Sequence, residues 1–152
     1  MTPVALRHLF ELRAQVGAPV VGHASARGLR RVVPVLGGTF EGERLRGTIL
    51  PGGADHQLIR PDGVVELDVR LALHTDDGAS LYMTVLGVRS ASAEVTARIA
   101  AGEDVDPSLY YFREAIRFET GEPGLAWMNG RLFVATGVRR PDHVGLSVHE
   151  VL

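Results

Sequence analysis

The sequence predicts an all-β protein with one helix, folded as a closed or nearly closed antiparallel barrel of about eight or more strands. Two observations lead to this fold class. Glycine (18 residues) and proline (8 residues) punctuate the chain at short intervals, and the apolar segments between them mostly alternate with a period of two residues. A hydrophobic fraction of 45% is enough to close one core, so residues 1–152 are expected to form a single domain.

Strands are predicted where apolar and polar residues alternate between turn signals. In chain order, the predicted strands before the helix are Val4–Gln15, Val32–Phe40, Leu45–Leu50, His56–Arg60, Val64–Thr75 and Ala79–Val88. The sequences RPDG (60–63) and TDDG (75–78) are typical of tight turns, because Asp tolerates the left-handed region and Gly adopts positive φ without a steric cost. These turns predict consecutive hairpins.

One helix is predicted within the segment SASAEVTARIAAGEDVDP, over about Ala91–Ala101. Ser90 or Ser92 is the predicted N-cap, and Gly102 is predicted to end the helix. Beyond Pro107, four further strand segments are predicted, which are SLYYFREAIRFET, GLAWMN, GRLFVATGVRR and HVGLSVHEV. Eight or more strands in all favour a barrel over a smaller open sheet.

The composition excludes several classes of chemistry. The chain has no cysteine, which excludes disulfides, thiolate zinc sites and a cysteine nucleophile. It also has no lysine, which excludes Schiff-base chemistry, a lysine-linked pyridoxal cofactor and a Walker-type phosphate loop. A net charge of −2 provides no broad cationic surface, so nucleic acid is not an expected partner. No segment resembles a membrane span or a signal peptide, so a cytoplasmic protein is expected.

Several long motifs together resemble the bacterial and fungal family known as domain of unknown function 3237. They are GGTFEGERLRGTILPGGADHQLIRPDG, ELDVRLALHTDDGASLY, and YYFREAIRFETG with the later WMNGRLFVATGVRRPD. The resemblance covers nearly the whole chain and implies a small β-barrel. The sequence departs from the family pattern at two positions, because His56 stands where GGADWQ usually has Trp and Ile116 stands where Pro is common. The family has no assigned activity, so any chemistry has to be argued from the residues.

Two predicted strands each carry one apolar and one polar face. The polar faces hold Asp68, Arg70, Tyr111, Arg113, Arg117 and Glu119. In one interpretation these faces point to solvent and form ordinary surface ion pairs. In the other they line the barrel, where Arg113 or Arg117 pairs with Asp68 or Glu119 and binds a substrate carboxylate or enolate in a bidentate manner. The sequence leaves both interpretations open.

A second group of candidates lies near the predicted turns. Asp55 and His56 follow a Gly-Gly turn, and such a titratable pair at a barrel mouth suits proton transfer. They share a site only if the turn is irregular, because adjacent strand residues point to opposite sides; the alternative is that Asp55 caps the turn. Tyr82, Trp127 and Asn129 are predicted ligand-binding residues. Alternatively, Tyr82 and Trp127 complete the core, and Asn129 is a residue of a hairpin turn.

The first functional hypothesis is a cofactor-independent isomerase, cyclase or lyase that transfers a proton on a small carbonyl-containing or aromatic metabolite bound in the barrel. The assigned roles are Asp55, Asp68 or Glu119 as the base, Tyr111 and Arg113 at the developing oxyanion, and His56 as the group that returns the proton. No dinucleotide fingerprint, nucleophile elbow or paired histidine spacing is present, so neither a cofactor nor a metal is predicted.

Two other hypotheses come from different classes of protein. The second is a non-catalytic barrel that binds an apolar metabolite, with Trp127 and the tyrosines providing contact area and the arginines providing orientation. The third is a structural homo-oligomer that buries an exposed strand face against a second copy. A homodimer is expected and is compatible with all three hypotheses.

Overall fold

All 152 residues are described by the computed structural model, which contains ten strands, one α-helix and two short 3₁₀ helices. The strands are β1 (Leu6–Val16), β2 (Val20–Ser25), β3 (Gly28–Glu41), β4 (Arg46–Ile49), β5 (Gly53–Ile59), β6 (Val65–Thr75), β7 (Ser80–Ala91), β8 (Tyr110–Glu119), β9 (Phe133–Arg139) and β10 (His143–Val151). Helix α1 (Ala93–Ala100) connects β7 to β8, and the 3₁₀ helices are Pro107–Leu109 and Pro123–Gly130.

The strands form one closed antiparallel barrel, as predicted. Consecutive pairing runs through β6, β7, β8, β9, β10 and β1, and β1 pairs with β3 to close the circle. Between β3 and β6, strands β4 and β5 occupy one position in succession, so there are eight positions around the barrel. Strand β2 continues beyond β1 along the same edge of β3. The barrel has no free edge except at β2, which explains how a single sheet buries one core.

The two ends of the barrel differ in how they are filled. At the end away from α1, which we call the packed end, Phe118 contacts Phe10 and Phe133 with ring centroids 6.0 and 4.9 Å apart. Phe40 lies 5.1 Å from Phe10, and Met128 of the second 3₁₀ helix is fully buried beside them. The opposite end, covered by α1 and called the α1 end, holds a cavity. The packed end is therefore filled by clustered aromatic side chains, whereas the α1 end is not completely filled.

Helix α1 confirms the predicted helix and its caps. The Ser92 hydroxyl accepts a hydrogen bond of 3.2 Å from the Val95 amide, and Gly102 follows the helix with φ of +82°. The buried Val95 and the half-buried Ile99 pack on the core. None of the helices has the length and apolar character needed to cross a lipid bilayer.

Two segments differ from the prediction. The segment GLAWMN was expected to be a strand and is instead part of the 3₁₀ helix Pro123–Gly130, because proline begins the turn and the Asn129 amide binds both backbone groups of Thr120. Strand β2 was not predicted, since Val20 and Val21 are exposed and show no apolar alternation. Neither difference changes the fold class.

Candidate active site in the barrel interior

A cavity of about 300 Å³ occupies the α1 end of the barrel. Its wall is mostly aliphatic and includes Val33, Val35, Leu67, Leu71, Val85 and Leu146. Thr96 and Ile99 of α1, together with Pro19 and Pro141, border it at the end of the barrel. Charged and amide side chains interrupt this apolar wall. They are Arg31, Asp55, Gln57, Arg89, Glu114 and Arg139. A closed apolar cavity with a few converging polar groups is the usual form of a small-molecule site.

Glu114 is the more deeply buried of the two carboxyl groups in the cavity. It lies on the inward face of β8, is 6% exposed, and its Oε2 atom has no hydrogen-bond partner. Its cross-strand neighbours are Gly87 on β7 and Ala135 on β9, so small residues flank it on both sides. A Cβ atom at Gly87 would lie 2.6 Å from the Glu114 Cγ atom, so glycine is the residue that leaves room for this side chain.

Asp55 is held in place by a relay of hydrogen bonds. The Gln57 amide nitrogen donates to its Oδ2 atom at 2.8 Å, and the backbone amide of Asp68 donates to its Oδ1 atom at 3.1 Å. The Arg31 guanidinium in turn donates two hydrogen bonds to the Gln57 amide oxygen, at 3.0 and 2.6 Å. Pairing between β5 and β6 is interrupted between Asp55 and Leu58, which leaves the Asp68 amide free to bind a side chain.

Arg89 and Arg139 complete the polar part of the cavity. Arg89 is 7% exposed, lies opposite Phe112 in the sheet, and places its guanidinium 6.0 Å from the centre of that ring. Arg139 is half-buried, and its side chain donates to the backbone carbonyls of Arg140 and His143. Its backbone amide donates to the Tyr110 hydroxyl at 2.9 Å. This hydrogen bond holds the start of β8 to the end of β9.

Burial and charge separate the protonation behaviour of the two carboxyl groups. Desolvation, followed by the nearby charge of Asp55, raises the pKa of Glu114 to about 8. Desolvation also raises the pKa of Asp55, but hydrogen bonds from Gln57 and Asp68 and the charges of Arg89 and Arg31 act in the opposite direction. Near neutral pH Glu114 therefore holds a proton, whereas the hydrogen bonds and positive charges around Asp55 favour its ionised form. Two carboxyl groups poised in this way can act as acid and base.

Burial and mutual repulsion change the pKa values of the three arginines in the cavity. Desolvation and the charges of Arg31 and Arg139 lower the pKa of Arg89 to about 10, so it remains a cation at neutral pH. Desolvation also lowers the pKa of Arg31 and of Arg139. Three guanidinium groups in this cavity face one ionisable carboxylate and one protonated carboxyl. The cavity therefore favours a developing negative charge.

Among the site residues predicted from the sequence, Asp55 lines the cavity. His56 is exposed and does not border the cavity, whereas its neighbours Asp55 and Gln57 do, because adjacent residues on a strand face opposite sides. The predicted pairing of Asp55 with His56 in one site is therefore absent from this structure.

The polar faces of β6 and β8 point away from the interior, so the solvent-facing interpretation applies. Asp68 and Arg70 form an exposed pair with an N–O distance of 3.2 Å. Arg113 stacks on the exposed ring of Tyr111 at 5.0 Å, in a shallow depression on the outer surface. Arg117, Glu119 and Tyr82 also lie on the outside of the barrel. These residues do not converge with Asp55.

Trp127 and Asn129 lie at the packed end, far from the cavity along the barrel axis. Trp127 packs on Phe133 with ring centroids 6.1 Å apart, and Arg44 lies 4.5 Å above its indole. Asn129 holds the second 3₁₀ helix to the end of β8 through Thr120. Both residues have structural contacts, and neither borders the cavity.

Five residues of the cavity were not predicted from the sequence: Glu114, Arg89, Gln57, Arg31 and Arg139. A usable signal was present for the first two. In YYFREAIRFET, Glu114 falls in register with Phe112 and Ile116 on the apolar face, and in SLYMTVLGVRSA, Arg89 falls in register with Val85. A charged residue in an otherwise apolar alternation marks a polar group inside the barrel.

Comparisons with known proteins place the chain in a family. The model of the family described as "Protein of unknown function (DUF3237)" matches residues 4–151. A crystal structure of a conserved protein of unknown function from Rhodopseudomonas palustris is 39% identical, with each chain covered fully and a TM-score of 0.97. A β-barrel-like protein from Acinetobacter baumannii is 37% identical, with 100% and 98% of the two chains covered and a TM-score of 0.87.

A more distant barrel is described as an enzyme. This protein from Penicillium herquei is 20% identical, with 100% of this chain and 97% of that chain covered, and its TM-score is 0.74. At this identity the likeness concerns the fold alone. The barrel fold, the matched motifs and the coverage agree, and the chain belongs to the DUF3237 family.

Proposed function

We propose that the cavity is the active site of a cofactor-independent enzyme, an isomerase, cyclase or lyase that moves a proton on a carbonyl-containing or aromatic metabolite. The observation that carries the proposal is the placement of two carboxyl groups in one closed cavity. Asp55 is held by two hydrogen bonds, whereas Glu114 has none on its buried oxygen. Groups in such different surroundings are suited to opposite roles in proton transfer.

In the proposed reaction, the Asp55 carboxylate removes a proton from the carbon beside the substrate carbonyl. The electron pair of that C–H bond forms the enolate, whose negative charge lies near the guanidinium groups of Arg89 and Arg139. Glu114 then donates its proton to the far carbon or oxygen, or to a leaving group. No atom is oxidised or reduced overall, so the step needs no redox cofactor.

Deuterium exchange tests this mechanism. Phenylpyruvate and 2-tetralone, which carry acidic C–H bonds beside a carbonyl, are incubated with the protein in D₂O, and exchange is followed by proton NMR. We expect the protein to catalyse exchange faster than buffer does. Asp55→Asn and Glu114→Gln should each lower the catalysed rate about 100-fold, which is the usual contribution of one general acid or base. Glu119→Gln, a change to an exposed carboxylate on the same strand as Glu114, serves as the matched control.

The pH profile adds a second readout. Because Glu114 has to be protonated to act as the acid, we expect activity to fall above a pH of about 8, where burial sets its pKa. Exchange no faster than in buffer, or full exchange in both carboxyl variants, contradicts the catalytic proposal.

The mostly aliphatic wall favours one alternative, a barrel that binds an apolar metabolite without reaction. In that case both probes bind with no catalysed exchange, and Glu114→Gln binds them as tightly as the wild type. The same experiment therefore separates an enzyme from a binding protein.

A further inference from the structure

We infer that the barrel binds an organic carboxylate, whose anionic group contacts Arg89 between Arg31 and Arg139 and whose apolar body lies against the aliphatic wall. This inference rests on the proposed function only in taking the same cavity as the binding site. It names the class of molecule that the site accepts, and it holds for an enzyme or for a binding protein.

Arg89 provides the main evidence. Its side chain is more than nine-tenths buried, and it makes no hydrogen bond or salt bridge with a protein group; its one notable contact is the face of Phe112. Burying a cation without a partner is strongly unfavourable, so such groups normally pair with an anion. The guanidinium borders the cavity, which is where an anion from outside the protein can reach it.

The neighbouring cations strengthen the argument. The charges of Arg31 and Arg139 act against the charged form of Arg89, and the Arg31 charge does the same to Arg139. None of the three forms a salt bridge, because Arg31 binds the neutral amide of Gln57 and Arg139 binds backbone carbonyls. Asp55 is the one carboxyl group whose charge favours these cations, so three guanidinium groups outnumber it and the cavity attracts an anion.

The shape of the guanidinium group and the wall of the cavity indicate the class of anion. A planar guanidinium binds a carboxylate through two parallel hydrogen bonds. The rest of the cavity is aliphatic, so the ligand carries a hydrocarbon body behind its charged group. Inorganic phosphate has the charge but lacks this body.

Calorimetric titration with matched probes tests the inference. Octanoate and octanamide have the same hydrocarbon chain and differ in the charge of the head group. We expect octanoate to bind at least about tenfold more tightly than octanamide, the minimum for hydrogen bonds to a charged group. We also expect Arg89→Met to lose at least about tenfold in octanoate affinity on the same grounds, whereas Arg89→Lys retains part of the affinity. Arg117→Met, a change to an exposed arginine on the outer face, is the control and should bind as the wild type.

A second readout distinguishes a binding role from a structural one. Without ligand, Arg89→Met is expected to melt at a higher temperature than the wild type, because it removes an unpaired and repelled charge. A structural arginine would instead lower the melting temperature on removal. If Arg89→Met does not fold, Arg31→Met provides the affinity comparison, with the same expected loss.

Four outcomes overturn the inference. They are equal binding of octanoate and octanamide, unchanged octanoate affinity in Arg89→Met, binding of inorganic phosphate in preference to octanoate, and no binding of octanoate at all. These outcomes concern affinity and melting temperature. The proposed proton transfer is measured separately by deuterium exchange, so either proposal can fail while the other stands.

Discussion

The buried carboxyl of Glu114 makes a quantitative prediction for stability against pH. Its pKa is about 8 in the folded protein, against 4.5 for a free glutamate side chain. Well below pH 4.5 the folded and unfolded states both hold the proton, and its stabilising effect is complete. Between pH 4.5 and about 8 the unfolded chain releases the proton while the folded protein keeps it, so the free energy of unfolding falls by about 1.4 kcal/mol per pH unit.

Over that range the loss approaches about 5 kcal/mol, and above a pH of about 8 it levels off because both states are ionised. Glu114→Gln removes the titrating group, so the wild type should lose stability relative to this variant as the pH rises. The pKa of Asp55 is also raised, so its contribution to the free energy of unfolding also falls as the pH rises. Asp55 is present in both proteins, and this contribution largely cancels in the difference between them.

Urea unfolding at a series of pH values from 5 to 9 measures this difference. Trp127 is the single tryptophan of the chain and packs on Phe133, so its fluorescence reports the loss of the core. The control is Glu119→Gln, which changes an exposed carboxylate on the outer face. If the difference between the wild type and Glu114→Gln is the same at pH 5 and at pH 8, Glu114 is ionised in the folded state and the argument from its burial is wrong.

Two further predictions concern the packing against Phe112 and the start of helix α1. Gly137→Ala should destabilise the protein by about 1–3 kcal/mol in urea unfolding, because the new Cβ atom would lie 2.5 Å from the Phe112 ring; an unchanged midpoint would show that the ring moves freely. Ser92→Ala should cost about 1 kcal/mol, because it removes the hydrogen bond to the Val95 amide at the start of α1, and an unchanged free energy would show that water replaces this cap.

The sequence predicted the barrel well because the dominant signal is local. Period-two alternation in segments such as Val65–Thr75 reports which residues face the core, and the structure has that alternation. The helix was also predictable, since Ser92 and Gly102 mark its ends chemically. Strand β2 lacked such a signal, because its residues are exposed and show no apolar alternation, although it pairs with the first half of β3 across a two-residue turn.

The site was harder to predict for a physical reason. Alternation shows that the two faces of a strand differ, and the functional residues were predicted on the face with the most charges. In this barrel that face meets water, where Asp68 and Arg70 pair with each other. The cavity groups are single exceptions on the apolar face, such as Glu114 and Arg89. Their convergence depends on barrel closure, which brings together strands that are far apart in the chain.

The contrast between the packed end and the α1 end has a consequence for how such a barrel can change. The phenylalanine contacts lie at one end, so the other end can hold an unpaired polar group such as Glu114 while the fold is maintained. Substitutions on the aliphatic wall near α1 can then change the shape of the cavity, while the packed end keeps the core well ordered. Ligand selectivity can therefore change through substitutions at the α1 end without affecting folding. The α1 end is the part of the barrel to redesign for a different ligand.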